Sequence, residues 1–198
     1  MANRPYIAKI DNEQTAKLPA IEFRGEICII DREEQIEAAC NDLAAHRVIG
    51  FDTETRPSFK AGVSYRCSLL QLSTEQRCYL FRLNHIPLSK PLIKLLESTE
   101  VKKVGADVAG DIRSLHQLRH FRERGFIDLQ SLVGEWGIEE KSLRKMAAIV
   151  LGHRVSKAQR LSNWESSTLT EKQQLYAATD AWVCIRILQE LQHTPKAK

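Results

Sequence analysis

The sequence has 198 residues, of which 43% are hydrophobic and 27% are charged. This composition is typical of one globular domain and excludes a largely disordered chain. The formal net charge of +4 is too small to identify an anionic partner by itself. No apolar run approaches the roughly 18 residues that a membrane span needs, and the first residues lack the apolar core of a signal peptide. We therefore expect a cytoplasmic protein without a membrane partner.

The five cysteines are scattered along the chain, and no two of them form a C-x-x-C pair. An odd number without paired spacing argues against a disulfide framework and against a zinc site. We predict that the cysteines are reduced and that most of them pack in the core.

The ends of the chain differ from its middle. Residues 1–20 are polar and aperiodic, which predicts a loosely ordered N-terminal arm. A single domain is predicted over residues 21–192, followed by a short tail over residues 193–198.

Strand patterns dominate the first half of this domain. A strand over residues 26–30 precedes a helix that begins at Asp31, where Glu34 completes a capping box, and ends near Ala45. Three further strands follow with short connections, at residues 48–55, 67–72 and 78–83. This succession predicts an antiparallel meander.

Helices dominate the second half. They are predicted near Pro91 and over residues 108–124, 129–136, 142–151 and 170–192, with short strands at 101–104 and 126–127. The last helix begins with the capping box T-E-K-Q at Thr170. Strands first, then helices alternating with strands, predict an α/β fold in which helices flank a mixed sheet.

The segment V-I-G-F-D-T-E-T, at residues 48–55, ends an apolar strand with two carboxylates. Side chains alternate along a strand, so Asp52 and Glu54 share one face, with Cα atoms about 7 Å apart. That much negative charge at a buried strand end is unfavourable unless a cation lies between the carboxylates. A divalent metal is suited to the position because hard cations prefer carboxylate oxygens, and the structural alternative is a solvated strand end.

Two helices carry acids on their inward faces. In the last helix, Asp180 and Tyr176 lie one turn apart on an apolar stripe, and Asp111 lies on the apolar stripe of the helix after Gly105. Asp180 could instead be a core residue that pairs with a buried arginine or a backbone group. Asp107 and Asp128 each precede a helix, and we interpret both as N-caps.

Four acids are therefore predicted to face inward from three elements, namely Asp52, Glu54, Asp111 and Asp180. If they converge, their mutual repulsion has to be neutralised by protons or by metals. Two divalent cations about 3.5–4 Å apart, bridged by a carboxylate, would form a phosphoryl-transfer site.

Three motifs in chain order resemble those of the DEDD 3′→5′ exonucleases: F-D-T-E-T, V-G-A-D-V-A-G-D-I-R-S-L and Y-A-A-T-D-A. The tyrosine of Y-A-A-T-D is typical of the DEDDy branch, in which the chain most resembles the Werner-syndrome-type exonuclease domains, with ribonuclease D next. The resemblance covers about residues 23–191. It implies that residues 21–192 are an exonuclease domain with a ribonuclease-H-like fold, a mixed sheet that is antiparallel through its first three strands.

The resemblance also implies a role for each acid. Asp52 would bridge two divalent cations, Mg²⁺ or Mn²⁺, while Glu54 and Asp180 would hold the first. Asp111 would hold the second, largely through water, and Tyr176 would orient the attacking water.

Two loops next to the predicted metal ligands supply candidates for substrate binding. They are Arg56, Phe59, Lys60 and Tyr65 in the first loop, and His153, Arg154, Lys157 and Arg160 in the second. An ordinary solvated basic loop is the alternative for both sets. We interpret Trp164 as a packing residue, and Trp136 and Trp182 as core residues.

We expect a metal-dependent 3′→5′ exonuclease that acts on DNA at a single-stranded or recessed 3′ end and releases 5′-mononucleotides. Two alternatives remain, an RNA 3′-end trimming activity of the ribonuclease D kind and a catalytically silent nucleic-acid-binding module. The complete set of four acids and the tyrosine argues against the silent module.

Overall fold

Six strands form the centre of the fold in the computed structural model, which describes residues 5–197. The strands are β1 (Glu26–Ile30), β2 (Val48–Thr55), β3 (Cys67–Ser73), β4 (Arg77–Arg82), β5 (Lys102–Gly105) and β6 (Phe126–Asp128). They lie side by side in the order β1-β4-β3-β2-β5-β6. The predicted α/β fold with a mixed sheet is confirmed.

The middle of the sheet is the predicted antiparallel meander, in which β2 pairs with β3 and β3 with β4. The antiparallel pairing does not extend to the first strand of the chain, because β1 runs parallel to β4. A helix carries the chain from β1 to β2, so both strands start from the same end of the sheet, and two reversals give β4 that direction as well. On the other side, β2, β5 and β6 are mutually parallel.

Seven α-helices accompany the sheet in the described part of the chain. They are α1 (Asn12–Lys17), α2 (Ile36–Ala44), α3 (Lys90–Leu96), α4 (Val108–His116), α5 (Leu129–Leu132), α6 (Leu143–Leu151) and α7 (Glu171–His193). Short 3-10 turns at Glu33–Gln35 and Val133–Trp136 adjoin α2 and α5. The predicted capping box of α7 is present, because Thr170 accepts from the backbone N–H of Gln173 while the Gln173 side chain accepts from the backbone N–H of Thr170. None of these helices is long and apolar enough to cross a bilayer.

The predicted capping box of Asp31 and Glu34 at the start of α2 is wrong. The backbone N–H groups of Asp31 and Arg32 donate to Oε1 of Gln35, at 3.1 and 3.0 Å, so no box forms between Asp31 and Glu34. A 3-10 turn therefore precedes the helix. The apolar stripe of α2 is buried as its periodicity predicts, at Ile36, Ala39, Cys40 and Leu43.

The helix predicted over residues 108–124 ends early, at His116. Phe121 is buried, and its carbonyl lies 3.1 Å from Nε2 of the His116 ring. The chain has to turn back to bury Phe121, so a continuous helix over this segment is excluded.

The N-terminal arm is more ordered than predicted. Residues 12–17 form α1, which Asp11 and Gln14 close with a capping box. Ile10 and Thr15 are buried, and the backbone N–H of Ile21 donates to the carbonyl of Arg154 at 3.1 Å. The prediction of a loose arm is therefore wrong for the described part of residues 1–20, and residues 1–4 lie outside it.

Helix α7 crosses β2 at Gly50, and this crossing sets the height of α7 above the sheet. A Cβ atom at Gly50 would lie 2.0 Å from the carbonyl oxygen of Ala181, so only glycine fits there. Asp180 is thereby held over the strand that carries Asp52. The five cysteines are free, and four of them are buried, as predicted.

Candidate active site

The end of β2 and the middle of α7 bring three of the predicted acids together. One carboxylate oxygen from each of Asp52, Glu54 and Asp180 can be chosen so that all three lie within 4.8 Å of one another. Asp180 is buried, whereas Asp52 and Glu54 are half-buried. The strand alternation and the helix periodicity therefore place these groups on facing surfaces, as the sequence predicts.

Asp111 reaches the same edge of the sheet on α4, outside that group of three. Since β2 and β5 are parallel neighbours, both end at this edge, and α4 follows β5 directly. The hydroxyl of Thr53 donates to Oδ1 of Asp111 at 2.6 Å. Oδ2 of Asp111 is buried and has no hydrogen-bond partner within residues 5–197.

The four carboxyl groups oppose each other's ionisation. Burial and then the charge of Asp180 raise the pKa of Asp52, and burial followed by the charges of Asp52 and Asp180 raises the pKa of Glu54. Burial and the charge of Asp52 likewise raise the pKa of Asp111. Burial raises the pKa of Asp180, offset in part by Tyr176 and Arg144. The cluster therefore holds more negative charge than the metal-free protein tolerates.

No lysine, arginine or histidine of residues 5–197 lies within 4.0 Å of these carboxylate oxygens. The structural alternative for Asp180, a pair with a buried arginine, is therefore absent from the described chain. Crowded carboxylates without a cationic partner, next to an unpaired Oδ2 on Asp111, fit the oxygen ligand set that divalent cations prefer.

Tyr176 lies one helical turn before Asp180 and is half-buried. Its ring packs on the indole of Trp164 with ring centroids 6.0 Å apart. Burial and the charges of Asp180 and Glu54 raise the pKa of the Tyr176 phenol, so it keeps its proton and can donate a hydrogen bond. Trp164 is fully buried, so the prediction that it packs the loop is confirmed.

The loop after β2 is tied to the segment before α7. Nη1 of Arg56 donates to Oε2 of Glu165 at 3.2 Å, and the Arg56 guanidinium lies over the ring of Tyr65, 4.6 Å from its centroid. Lys60 is exposed, and Phe59 is 81% exposed at the tip of the loop. The Arg56–Glu165 pair therefore holds the two loops together, while Phe59 and Lys60 project from the first loop.

The second predicted basic set divides into two parts. Nε of Arg154 donates to the carbonyl of Leu18 at 3.0 Å, which fixes the N-terminal segment. Lys157 and Arg160 are exposed, next to Leu161, which is 59% exposed. Sequence reasoning missed this apolar side chain because a single leucine in a basic loop carries no periodic signal.

The two predicted N-caps have different outcomes. Asp128 caps α5 as predicted, with Oδ1 accepting from the N–H of Gln130 at 2.9 Å, and its Oδ2 also accepts from the N–H of Val108, the first residue of α4. Asp107 occupies the N-cap position of α4 as predicted, with a left-handed φ of 65°, but its side chain makes no capping hydrogen bond, so the predicted capping by Asp107 is wrong. Asp128 thereby satisfies one of the free N–H groups at the start of α4.

The comparisons with known proteins agree with this geometry. A family model described as a 3′-5′ exonuclease matches residues 27–194. The bifunctional 3′-5′ exonuclease/ATP-dependent helicase WRN of Mus musculus is 33% identical over 184 residues, which are 88% of this chain and 13% of that protein. Exonuclease 3′-5′ domain-containing protein 2 of Drosophila melanogaster is 36% identical over 160 residues, 76% of this chain and 27% of that protein. The chain thus spans less than a third of either relative.

Solved structures share the fold. The EXO domain of Aedes aegypti Nibbler superposes with a TM-score of 0.77 at 24% identity, covering 88% of this chain and 94% of that one. Escherichia coli RNase D gives a TM-score of 0.76 at 22% identity, covering 85% of this chain and 44% of that one. The mixed sheet and its flanking helices therefore match the exonuclease and RNase D fold.

Proposed function

Because the chain belongs to the 3′-5′ exonuclease family, we propose that it is an active exonuclease of the DEDDy type. It hydrolyses phosphodiester bonds from the 3′ end of DNA and releases 5′-mononucleotides. The observation that carries this proposal is the group of three carboxylates on β2 and α7, which lacks a cationic partner in the described chain. A silent nucleic-acid-binding module would have no use for such an unfavourable cluster.

The carboxylates would hold two divalent cations, Mg²⁺ or Mn²⁺. Asp52 would be shared, Glu54 and Asp180 would hold one cation, and Asp111 would hold the other with its unpaired Oδ2. When bound, such cations lower the pKa of a water nucleophile and stabilise negative charge on the reacting phosphate.

Tyr176 acts as a hydrogen-bond donor beside this cluster. Its pKa is raised, so the phenol does not serve as a base. The hydroxyl orients the attacking water and the scissile phosphate, and the buried indole of Trp164 fixes the ring from behind. A positioned donor of this kind accelerates a reaction by holding the reactants near their attack geometry.

The two loops beside the site bind the strand that ends there. The proposed contacts are Arg56, Lys60, Tyr65, Lys157 and Arg160. Cations in such a groove follow the phosphate backbone, and an exposed aromatic ring such as Phe59 offers a face on which a base can stack. The salt bridge between Arg56 and Glu165 joins the two loops beside the acid cluster.

DNA is proposed as the substrate because the chain is 33% identical to the WRN exonuclease/helicase. RNA is the second candidate, since RNase D of Trypanosoma brucei, which has the same fold, was solved with RNA U12. The two substrates differ in the 2′-hydroxyl, which a protein contacts directly when it discriminates between them.

A 5′-labelled oligonucleotide tests the proposal. With Mg²⁺ or Mn²⁺, single-stranded and recessed DNA should give a descending ladder of labelled products, and excess EDTA should abolish it. If the protein retains the oligonucleotide in a gel but does not degrade it, the enzymatic function would be refuted in favour of a nucleic-acid-binding module. A ladder from RNA alone would assign the ribonuclease alternative, and degradation in excess EDTA would overturn the metal requirement.

A further inference from the structure

Gln71 is the most unusual buried polar residue outside the acid cluster. It lies in the middle of β3 with 0% of its surface exposed, and neither Oε1 nor Nε2 of its amide has a hydrogen-bond partner within residues 5–197. Buried side-chain amides normally find such partners, so one that lacks them needs a specific explanation.

The surroundings of Gln71 favour an apolar residue. By strand alternation its side chain faces α7, on the same side of β3 as Leu69. This side of the sheet is an apolar layer that includes Leu69, Leu80, Ala177 and Ala178. A leucine or methionine would fill the position without burying two unpaired polar atoms.

The register of the sheet identifies what the amide serves. Gln71 pairs with Asp52 on β2, and with Leu80 on its other side in β4. Side chains of directly opposed residues lie on one face with Cβ atoms about 4.5–5.5 Å apart, so Gln71 is the cross-strand neighbour of Asp52. Of the four acids, Asp52 alone is proposed to contact both cations.

We propose that Gln71 is a positioning residue for Asp52. Its side-chain N–H group donates a hydrogen bond to the Asp52 carboxylate when that carboxylate holds a divalent cation. Metal-ligating carboxylates are commonly hydrogen-bonded by a second residue, which fixes their orientation and their affinity for the metal. The inference rests on the proposed function, because it requires that Asp52 is a metal ligand.

Gln71→Met tests this role, with Leu80→Met as the matched control. Both substitutions place methionine on the face of the sheet that packs against α7, at paired positions of β3 and β4. We expect Gln71→Met to weaken Mn²⁺ binding, measured by electron paramagnetic resonance, by about 10- to 100-fold. Its metal-free melting temperature should equal or exceed that of the wild type, and Leu80→Met should keep the wild-type Mn²⁺ affinity.

A second readout uses the wild-type protein. The side-chain amide signal of Gln71 in a ¹⁵N–¹H spectrum is identified by its loss in Gln71→Met or, if that variant fails to fold, in Gln71→Leu. This signal should shift when Mg²⁺ is added.

The outcomes separate this inference from the function on which it rests. Wild-type protein that binds no Mn²⁺ would refute the proposed function. Wild-type protein that binds Mn²⁺, together with a Gln71→Met variant of equal affinity or an amide signal that Mg²⁺ does not move, would overturn the role of Gln71 alone. Equal losses in Gln71→Met and Leu80→Met would assign the effect to packing.

Discussion

The paired strands β2 and β5 have buried charges of opposite sign at opposite ends of their pairing. The acid end holds Asp52 and Glu54 of β2 with Asp180, and the lysine end holds Lys103 of β5. Lys103 on β5 is fully buried, and its Nζ donates to the carbonyls of Ser98 and Val101 at 2.7 and 2.8 Å. It pairs in register with Ile49, three residues or about 10 Å along β2 from Asp52. The buried cation is thus satisfied by backbone oxygens, whereas the carboxylates at the other end have no cationic partner within residues 5–197.

The difference shows that this fold can bury a charge and satisfy it internally. Burial lowers the pKa of Lys103 to about 8, yet two carbonyl acceptors and the ring of Phe126, 5.0 Å from Nζ, still support the ammonium group. The chain places no cation of this kind beside Asp52, Glu54 or Asp180 in its described part. The acid end therefore has the character of a binding site for external cations. The lysine end is a structural feature whose charge is satisfied within the protein.

The largest effect is expected at the acid end, from Asp180→Asn. Loss of the Asp180 carboxylate should reduce the degradation rate by at least about 100-fold. Removal of a residue that only hydrogen-bonds a metal ligand already lowers metal affinity or activity by about 10- to 100-fold. Removing one charge also relieves repulsion, so the metal-free melting temperature should stay equal or rise. Glu190→Gln on the exposed side of α7 is the control and should change neither value. A marked destabilisation by Asp180→Asn would show that Asp180 has a structural role instead.

Tyr176→Phe should reduce turnover by about 100-fold, in the range expected for loss of one preorganised hydrogen-bond donor, and leave Mn²⁺ binding intact. The phenyl ring keeps its packing on Trp164, so thermal unfolding should not change. Single-turnover rates on a labelled oligonucleotide measure the effect. Wild-type rates from this variant would remove Tyr176 from the mechanism.

The acid end also predicts how stability depends on pH. The pKa values of Glu54 and Asp111 are raised in the folded state. At pH values above the usual pKa range of carboxyl groups, the folded chain therefore binds more protons than the unfolded chain. The free energy of unfolding of the metal-free protein should therefore fall as pH rises from about 5.5 to about 8.5. Mn²⁺ should raise the melting temperature more at the higher pH. A melting temperature that rises with pH in the absence of metal would contradict the repulsion.

The smallest effect is expected at the lysine end. Lys103→Met leaves two buried carbonyls without their donor and should lower the free energy of unfolding by about 1–3 kcal/mol. Denaturant titration measures this change, with the exposed neighbour variant Lys102→Met as the control. Mn²⁺ affinity and turnover should stay at wild-type values. A loss of Mn²⁺ binding in Lys103→Met would show that the two ends are coupled.

Periodicity predicts the parts of the site that lie on regular elements. Asp52 and Glu54 are separated by the strand repeat, and Asp180 follows Tyr176 by the helix repeat, so their shared orientation can be derived from spacing alone. The meander and the capping box of α7 follow from equally local signals. Spacing does not show the contact of Thr179 on α7, which is buried and whose hydroxyl accepts from the backbone N–H of Phe23.

Tertiary contacts decide the features that sequence reasoning missed. Helix α1 has only six residues, and burial of Ile10 and Thr15 holds it in place. The end of α4 depends on the burial of Phe121, which a helical pattern does not reveal. Gln71 lies in a strand that is buried throughout, so only the register between β2 and β3 shows that it is opposite Asp52.

The central claim is that the acid end is completed by divalent cations that Asp52 holds. Electron paramagnetic resonance of free Mn²⁺, titrated against wild-type protein and Asp52→Asn, tests it most directly. We predict about two Mn²⁺ per wild-type chain, as a two-metal phosphoryl-transfer site requires, and loss of both in Asp52→Asn with the fold retained. Equal Mn²⁺ stoichiometry and affinity in the two proteins would contradict the claim.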